Sequence, residues 1–509
     1  MRGPRSVDGR WPGRTVLGRP LPLLLVFTAV ALAARLFRLG ARVAHQDEAR
    51  VAHWILHYMA VGRWEYRAII HGPFLPHVNG VVFDLLGPSD FSMRLVVALV
   101  GGFLPLSAWL LRERLRSSEV VILGALLALN PVLLYYSRFM RNDLLLAAMA
   151  FTAFALAVRA IDTGKGRYLL AAGFVFGLGA TTKENALLYP LAWGGALVLL
   201  LDHRLFIARF TDDTWKAIGK RWLRRTLRSL WSWRYPIVGS VLVLAVVVVT
   251  FYAPKPDLYR ALGNPARLPD VLDAATLGTW EKFTDLWASA GMQKHSYPRF
   301  LGHLLLVLGV GGATPVLFGT IGFVAERYRP AGPRDLVAAC FYWALASVVG
   351  YPAVVDIMAG WTAVHVLVPL AVPAAVGLAL VLRSGREAIA RDDGRTTALV
   401  VVLSFVALTA TIGGAVAINV VYPTHPKNPV VQYAQPAGDM KPTLGEIERI
   451  SAANEGVDVT FYGEDFYAPD DVAEDLSLSI EDGGYTGWFD RLPMAWYFEV
   501  YGANVSSTT

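Results

Sequence analysis

Long apolar runs separated by short polar segments recur along almost the whole chain. Two of them, Ile237–Tyr252 and Ala398–Val421, contain no charged residue. Because a helix needs roughly 20 mostly apolar residues to cross a bilayer, such runs predict membrane spans. We predict eleven spans, at Leu21–Phe37, Met93–Leu111, Val120–Tyr136, Leu144–Ile161, Tyr168–Ala180, Ala186–Leu201, Pro236–Ala253, Phe300–Val324, Leu336–Val355, Ala363–Leu382 and Ala398–Val421.

The composition agrees with a membrane protein. Of the 509 residues, 55% are apolar and 17% are charged, whereas a soluble chain carries about 25% charged residues. The whole chain has a formal net charge of +7; residues 422–509 hold 15 acidic and 4 basic side chains, a net of −11, so the rest carries +18. This segregation of charge is typical of a membrane protein and speaks against a nucleic-acid partner.

Lysine and arginine concentrate in short loops on one side of the predicted membrane. Basic residues occur in the N-terminal segment and in the alternate loops Arg112–Arg116, Asp162–Arg167, His203–Arg234, Glu326–Asp335 and Arg383–Arg395. Because cytoplasmic loops carry the excess of Lys and Arg, we predict a multi-pass plasma-membrane protein with a cytoplasmic N-terminus. An odd number of spans then places the acidic C-terminal segment outside, with loops 40–92 and 254–299.

The acidic segment has the pattern of a small separate domain. Leu444, Ile447 and Ile450 predict a helix, and Val457–Tyr462 predicts a strand. We therefore predict an all-α polytopic membrane domain at residues 1–421 and an extracytoplasmic α/β domain at residues 422–509. In the first outer loop, Glu48–Ala60 predicts a further helix, either lying along the interface or packed beneath the loop.

Candidate chemistry gathers at the outer boundary of the predicted membrane. The acidic pair Asp47 and Glu48 directly follows the first span. A carboxylate held there could accept a proton from an acceptor hydroxyl, although solvated loop acids are the common alternative. Transporters and pumps instead place charged residues near the midplane of the membrane, which makes a solute transporter the less favoured hypothesis.

Basic residues lie at the same predicted depth. Two short outer segments carry Arg138, Arg141 and Asp143, and Lys183 with Glu184. Such cations could hold a lipid phosphate, or could only extend towards headgroups. Lys294 and Arg299 have the same two interpretations.

Histidines suggest two further features of the first outer loop. His53 and His57 would share one face of its helix, so a divalent metal is conceivable, although interfacial polar packing explains the pair equally well. His71-Gly72-Pro73 would shape the return of the loop. We find no phosphate-binding loop, no dinucleotide-binding glycine motif and no serine nucleophile motif.

Five short motifs occur in a characteristic order: Asp47-Glu48, His71-Gly72-Pro73, Ser137–Asp143, Thr182-Lys183-Glu184 and Trp361 with His365. In these motifs the chain resembles the GT-C superfamily of membrane glycosyltransferases, which includes protein O-mannosyltransferases and the lipid A aminoarabinose transferase. It is most similar to the archaeal flippase-activity-associated family. The resemblance covers about residues 20–425, and the C-terminal segment resembles the outer domain of that family.

The resemblance implies an inverting transferase that uses a polyprenyl (dolichyl) phosphate sugar and a glycan, protein or lipid acceptor. It implies that Asp47 is the general base and that Glu48 is its neighbour or substitute. The same resemblance leaves a second function open, that of a non-catalytic partner of a lipid-linked oligosaccharide flippase. The residues expected to bind substrate or lipid phosphate are Arg138, Arg141, Asp143, Lys183, Glu184, His71, Lys294, Arg299, Trp361 and His365.

Overall fold

A computed structural model describes residues 20–208, 214–288, 295–329, 332–355, 357–467 and 487–509. These parts of the chain are mainly helical. The α-helices are α1 Pro20–Leu36, α2 Gln46–Val61, α3 Phe74–Leu86, α4 Ser92–Phe103, α5 Ser117–Leu129, α6 Pro131–Tyr136, α7 Asn142–Thr163, α8 Arg167–Ala180, α9 Leu188–Ala208, α10 Trp215–Ser232, α11 Arg234–Tyr252, α12 Asp257–Gly263, α13 Leu268–Ala275, α14 Leu277–Phe283, α15 Tyr297–Gly311, α16 Ala313–Arg327, α17 Asp335–Val354, α18 Ala363–Ala390, α19 Gly394–Leu408, α20 Gly414–Val416, α21 Met440–Ser451, α22 Gly487–Asp490 and α23 Met494–Tyr501. The strands are β1 Val459–Tyr462 and β2 Val505–Thr508.

The prediction of a multi-pass membrane protein is confirmed, but the count of eleven spans is not. Within the described ranges, eight helical segments are long and apolar enough to cross a membrane. They are Pro20–Ala41, Ser92–Leu111, Asn142–Thr163, Glu184–Asp202, Arg234–Tyr252, Asp335–Val354, Gly360–Ala390 and Gly394–Val421. Two further predicted spans form the shorter apolar helices α5 and α8.

The predicted span Phe300–Val324 falls on a bent pair of helices. Helices α15 and α16 together contain it, but they meet at an angle of 93°. The bend falls at Gly311 and Gly312, where other side chains occupy the space that a Cβ atom would need: Val132 lies 2.4 Å from that position at Gly311, and Leu367 lies 2.6 Å from it at Gly312. A glycine pair in tight contact with its neighbours is a common cause of a sharp kink.

Helix α18 forms the centre of the bundle. Most of its first turns are buried, and it packs against α5, α7, α16 and α17. Its contact with α16 is very close, because a Cβ atom on Gly322 would lie 2.0 Å from the carbonyl oxygen of Pro373. Small residues at such crossings let two helix backbones approach each other in a membrane.

A buried ion-pair cluster joins four elements at one end of the bundle. Arg334, just before α17, donates to Glu119 at 2.6 and 3.2 Å and to Glu326 at 2.9 Å, and Arg383 of α18 lies 3.7 Å from Glu119. We call Glu119, Glu326, Arg334 and Arg383 the closed cluster.

The C-terminal segment contains the predicted helix and strand, as α21 and β1. Strand β2 pairs with β1 in parallel, from Val459 opposite Val505 to Tyr462 opposite Thr508. Helix α23 packs against α2. Residues Val51, Ala52, Trp54 and Ile55 of α2 are buried, so this helix is packed beneath other parts of the protein, as one of the two interpretations predicts.

Candidate functional site

The site begins at the first turn of α2. The Nδ1 atom of His45 accepts a hydrogen bond from the backbone N–H of Asp47 (2.9 Å), and Glu48 accepts one from the backbone N–H of His45 (3.0 Å). This reciprocal arrangement is a capping box, which satisfies backbone donors that a helix N-terminus leaves free. Burial lowers the pKa of His45, so its ring is neutral at pH 7 and Nε2–H donates to the carbonyl of Tyr433 (2.6 Å).

Glu48 is fully buried and tied to three parts of the chain. Arg94 of α4 donates to both of its oxygens, at 2.8 and 2.7 Å, and the backbone N–H of Met140 donates at 2.7 Å. Burial alone would raise the pKa of Glu48, but Arg94 outweighs burial and lowers it to about 2. Glu48 therefore fixes α2 to α4 and to the segment 137–141.

Asp47 is the accessible member of the acidic pair, with 18% of its side chain exposed. Its Oδ2 atom accepts from Arg141 and from Nε2 of Gln432 (3.1 Å), and its Oδ1 atom accepts from Arg50 (3.4 Å). Burial would raise the pKa of Asp47, but the charge of Arg141, with a smaller contribution from Arg50, holds it well below its ordinary value. Asp47 is thus ionised in this structure.

A second buried carboxylate continues the arrangement into the bundle. Asp143, at the start of α7, accepts from Arg141 at 3.2 Å, from Lys183 at 3.1 Å and from Nε2 of His365 at 3.3 Å. Acidic and basic side chains therefore alternate. We call Asp47, Arg141, Asp143 and Lys183 the charged row.

Aromatic side chains enclose the charged row. The guanidinium carbon of Arg141 lies 3.5 Å from the ring centre of Trp361, and the Lys183 ammonium lies 5.8 Å from it. Tyr189 is hydrogen-bonded to His365 (2.5 Å), and Tyr351 stacks on the same imidazole at 4.4 Å. Cation–π contacts of this kind stabilise positive charge away from water.

An apolar groove of about 230 Å³ lies beside these aromatic rings. It runs between α9 and α17, and Tyr189 and Tyr351 contribute to its wall together with Leu188, Leu191, Trp343 and Val354. The tyrosines connect the groove to His365 and hence to Asp143.

Two predicted motifs pack against each other next to the row. The backbone N–H of Gly72 donates to the carbonyl of Thr182 (3.2 Å), and a Cβ atom at Gly72 would lie 2.3 Å from the carbonyl oxygen of Thr181. His71 has a φ of +64°, unusual for a residue other than glycine, and its ring lies 3.3 Å from Glu184. Glu184 also accepts from Tyr66 (2.6 Å), so the motif of His71 holds the segment that carries Lys183.

Other predicted site residues lie away from the row. Arg138 donates to the carbonyls of Ala34, Phe37 and Arg38 and so caps the end of α1. Arg299 is exposed on α15, and Lys294 lies outside the described residues.

The candidate metal ligands have other contacts. His53 pairs with Glu499, and the ring of His57 packs on Trp54. Among the residues that the structure describes, no three His, Cys, Asp or Glu side chains converge as metal ligands would. The Asp47 carboxylate faces guanidinium groups, so the donor set around it does not fit a divalent cation.

Several residues of the site carry no signal in the sequence. Gln432 lies 385 residues from Asp47 along the chain, and Arg50 and Arg94 resemble ordinary helix residues. Tyr189 and Tyr351 lie within apolar runs, where a tyrosine usually only packs. The protein is thus a multi-pass membrane protein whose candidate functional site combines a row of charged residues at one end of the helices with an apolar groove.

Family models agree with this class in two segments. Residues 70–211 match the model described as dolichyl-phosphate-mannose-protein mannosyltransferase, and residues 440–509 match the model of the Agl23 flippase-associated protein C-terminal domain. No curated protein sequence matches the chain.

Solved structures show the same fold. ArnT from Cupriavidus metallidurans, bound to undecaprenyl phosphate, aligns with a TM-score of 0.53 and 18% identity over 96% of this chain and 90% of that protein. The oligosaccharyltransferase of Archaeoglobus fulgidus in its apo form aligns with a TM-score of 0.54 and 15% identity, over 96% of this chain and 64% of that protein.

The same archaeal oligosaccharyltransferase, called AglB in its complex with an inhibitory peptide and a dolichol-phosphate, gives a TM-score of 0.51 and 15% identity over 84% of this chain. Our chain spans 58% of the length of that protein. The predicted resemblance is thereby confirmed in residues 70–211 and 440–509, and the fold is shared with ArnT and with the archaeal oligosaccharyltransferase.

Proposed function

We propose that the protein is a membrane glycosyltransferase that moves a sugar from a polyprenyl phosphate donor to an acceptor at the outer face of the membrane. The observation that carries the proposal is the charged row: a partly accessible carboxylate, Asp47, shares Arg141 with a buried carboxylate, Asp143, which also holds Lys183. The row pairs a proton acceptor with cations suited to a phosphate.

The cations and the groove would bind different parts of the donor. The phosphate would lie against Arg141 and Lys183, and the polyprenyl chain would lie in the groove between α9 and α17. The Nε1–H of Trp361 is buried with no hydrogen-bond partner among the described residues, and the ring that carries it lies against Arg141. An unsatisfied buried donor costs free energy, so a phosphate oxygen that accepted from it would gain binding energy.

Asp47 would take the proton of the acceptor. The acceptor oxygen attacks the anomeric carbon, the bond from that carbon to the phosphate oxygen breaks, and its electron pair leaves with the polyprenyl phosphate. The hydroxyl proton moves to a carboxylate oxygen of Asp47. Attack from the side opposite the phosphate inverts the configuration, and Arg141 and Lys183 stabilise the charge on the departing phosphate.

Arg141 would also adjust the basicity of Asp47. In this structure it holds the pKa of Asp47 far below the range that suits a general base. A donor phosphate would draw the guanidinium away from Asp47, and the pKa of Asp47 would rise towards its ordinary value. The base would then become effective only when the donor is bound.

Glu48 and Arg138 take other roles in this mechanism. Both oxygens of Glu48 are bonded within the protein, so we propose that it positions Asp47 and does not substitute for it as the base. Arg138 caps α1 and does not contact the charged row in the described structure, so we do not propose it as a phosphate ligand.

The test is the Asp47→Asn variant, assayed in proteoliposomes with dolichyl-phosphate mannose or glucose and membranes of a deletion strain as acceptor. We expect transfer to fall by about 10²- to 10⁴-fold, the usual contribution of a positioned base, with insertion and thermal stability retained. The matched control is Asp84→Asn, since Asp84 is exposed on α3 and should keep wild-type activity. Transfer by Asp47→Asn near the wild-type rate would remove Asp47 as the base.

The C-terminal match favours a second candidate, a non-catalytic partner of a lipid-linked oligosaccharide flippase. Under this hypothesis, deletion of the protein leaves outer-face glycans short because translocation fails, and Asp47→Asn restores them fully. Under the transferase hypothesis, Asp47→Asn leaves the glycans as short as the deletion does. Mass spectrometry of surface glycans separates the two.

A further inference from the structure

Helix α10 is the part of the described chain in which apolar and basic side chains are most exposed together. It connects the span that ends with α9 to the span formed by α11, and none of its 18 residues is buried. Its N-terminus is capped by Thr214, whose side chain accepts from the backbone N–H of Ala217 (3.2 Å). The helix therefore has its own start signal, but it buries little of its surface against the rest of the protein.

One side of α10 is apolar and only partly covered. Ile218 and Trp222 are half-buried, while Leu223, Leu227 and Leu230 are all more than half exposed. These residues recur at the spacing of three to four that brings side chains to one face of a helix. The contacts of α10 with α9 and α11 leave much of this apolar face open.

The other side of α10 is basic. The helix carries six cations and no acid between Trp215 and Ser232; Lys220, Arg221, Arg224, Arg225 and Arg228 lie on this side, and Lys216 lies at the edge of the apolar face. Exposed apolar surface combined with cations is the composition of helices that lie in the plane of a membrane interface. Immediately after the helix, the guanidinium of Arg234 stacks over Trp231 and Tyr235 at 4.8 and 4.4 Å, an aromatic and cationic pairing typical of the depth at which a span enters the headgroup layer.

We propose that α10 is a binding surface for anionic phospholipid headgroups. It lies flat on the leaflet from which α11 enters the bilayer, with Leu223, Leu227 and Leu230 among the acyl chains and the arginines and lysines on phosphate groups. Charge complementarity selects this ligand, because six cations without an acid attract anionic lipids and gain nothing comparable from zwitterionic ones. Connectivity adds a second constraint, because only Trp233 separates the end of α10 from the start of α11, so this end of α10 cannot leave the membrane surface. The proposal is independent of the proposed function.

The test uses the whole protein in lipid nanodiscs of phosphatidylcholine alone, or of phosphatidylcholine mixed with phosphatidylglycerol. Cys340 is the single cysteine and is buried, so a Cys340→Ala background accepts one fluorescent label at a chosen position. Leu230→Cys reports on the apolar face, and Arg228→Cys, two residues earlier and hence on the opposite side, is the matched control. We expect quenching of the Leu230 label by acrylamide to fall by about threefold in the anionic discs, with a much smaller change for the Arg228 label.

Neutralising the charge should abolish this difference between lipids. In the variant Lys216→Gln, Lys220→Gln, Arg224→Gln, Arg225→Gln, we expect the Leu230 label to be equally accessible in both kinds of disc. Should that variant not fold, high salt added to the unaltered helix must reverse the protection, because screening weakens headgroup attraction. Equal protection in both disc types would overturn the anionic selectivity. A label that stays accessible in both, and is protected only by added cytosolic protein, would overturn the proposal in favour of an acidic protein partner.

Discussion

Acidic and basic side chains meet at both ends of the helix bundle, in the closed cluster and in the charged row. Arg383 of the closed cluster lies on α18, as does His365, which bonds to Asp143 of the charged row. Arg383 follows His365 by 18 residues, which is about 27 Å along a helix. The two groups use the same residue types but differ in how accessible their carboxylates are.

Both carboxylates of the closed cluster are bonded within the protein, although Nε of Arg334 and one Nη atom of Arg383 have no hydrogen-bond partner among the described residues. Glu119 is fully buried, and both of its oxygens accept from Arg334, with a further bond from the backbone N–H of Arg116 (2.9 Å). Both oxygens of Glu326 accept from Arg334 as well. Its residues lie at or near the ends of α5, α16 and α17, so its role is to hold these helices together.

The charged row is built differently. Asp47 keeps 18% of its side chain exposed, and one of its partners, Gln432, is a neutral residue from the segment that leads to the C-terminal domain. Trp361 adds a buried donor with no described partner. The charged row thus offers an accessible carboxylate, whereas both carboxylates of the closed cluster are saturated by bonds within the protein.

The largest effect we predict is at the closed cluster. Arg334→Met should lower the free energy of unfolding by about 3–5 kcal/mol, because it removes the cation that is hydrogen-bonded to two buried carboxylates. Thermal unfolding in detergent measures this loss. Transfer per folded molecule should stay at the wild-type rate, and a parallel loss of specific activity would contradict the division into a structural and a functional cluster.

The next effect belongs to the charged row. Arg141→Lys keeps the charge but cannot donate to Asp47 and Asp143 together or stack in plane on Trp361. We expect transfer to fall by about 10²- to 10³-fold, the cost of losing one aligned donor to developing charge, with little change in melting temperature. The matched control is Arg138→Lys, a similar change on the same short segment. A loss of activity in the control equal to that of Arg141→Lys would place Arg138 in the site after all.

The sequence predicted the membrane class and much of the composition of the site. Hydrophobic length alone located the apolar runs, and the structure brings together the predicted Asp47, Arg141, Asp143, Lys183 and His365. The functional roles of these residues remain predictions. Their order along the chain could be recognised because each lies next to the end of an apolar run.

Other features depend on contacts between distant segments. The bend between α15 and α16 falls at a glycine pair against which Val132 and Leu367 pack, and the length of the apolar run does not reveal it. Similarly, Glu48 and Asp47 are equivalent in the sequence, and only the positions of Arg94 and Met140 bury one and leave the other accessible. Gln432 joins the site only because the C-terminal segment folds back over α2.

The third prediction concerns Glu48 and pH. Its pKa in the folded protein is about 2, below the usual 4.5, so it stabilises the protein fully above pH 4.5 and loses this contribution as the pH falls towards 2. The shift corresponds to about 3 kcal/mol. Glu48→Gln should therefore be much less stable than wild type at pH 7, and the gap in melting temperature should close steadily below pH 4.5. A gap that stays constant to pH 3 would show that Glu48 does not carry a charge in the folded protein.

The smallest effect should appear at Gln432, and its direction shows whether this amide only occupies Asp47 or binds the acceptor. If its amide only occupies Asp47 until an acceptor arrives, Gln432→Ala removes one competing hydrogen bond (3.1 Å) and should raise kcat/KM by about two- to threefold, since a neutral hydrogen bond contributes roughly 0.5–1.5 kcal/mol. The control is Gln435→Ala, which removes a bond to the carbonyl of Val43 (3.2 Å) and leaves Asp47 untouched. A tenfold or larger loss in Gln432→Ala alone would mean that this amide binds the acceptor, and the C-terminal segment would then form part of the substrate pocket.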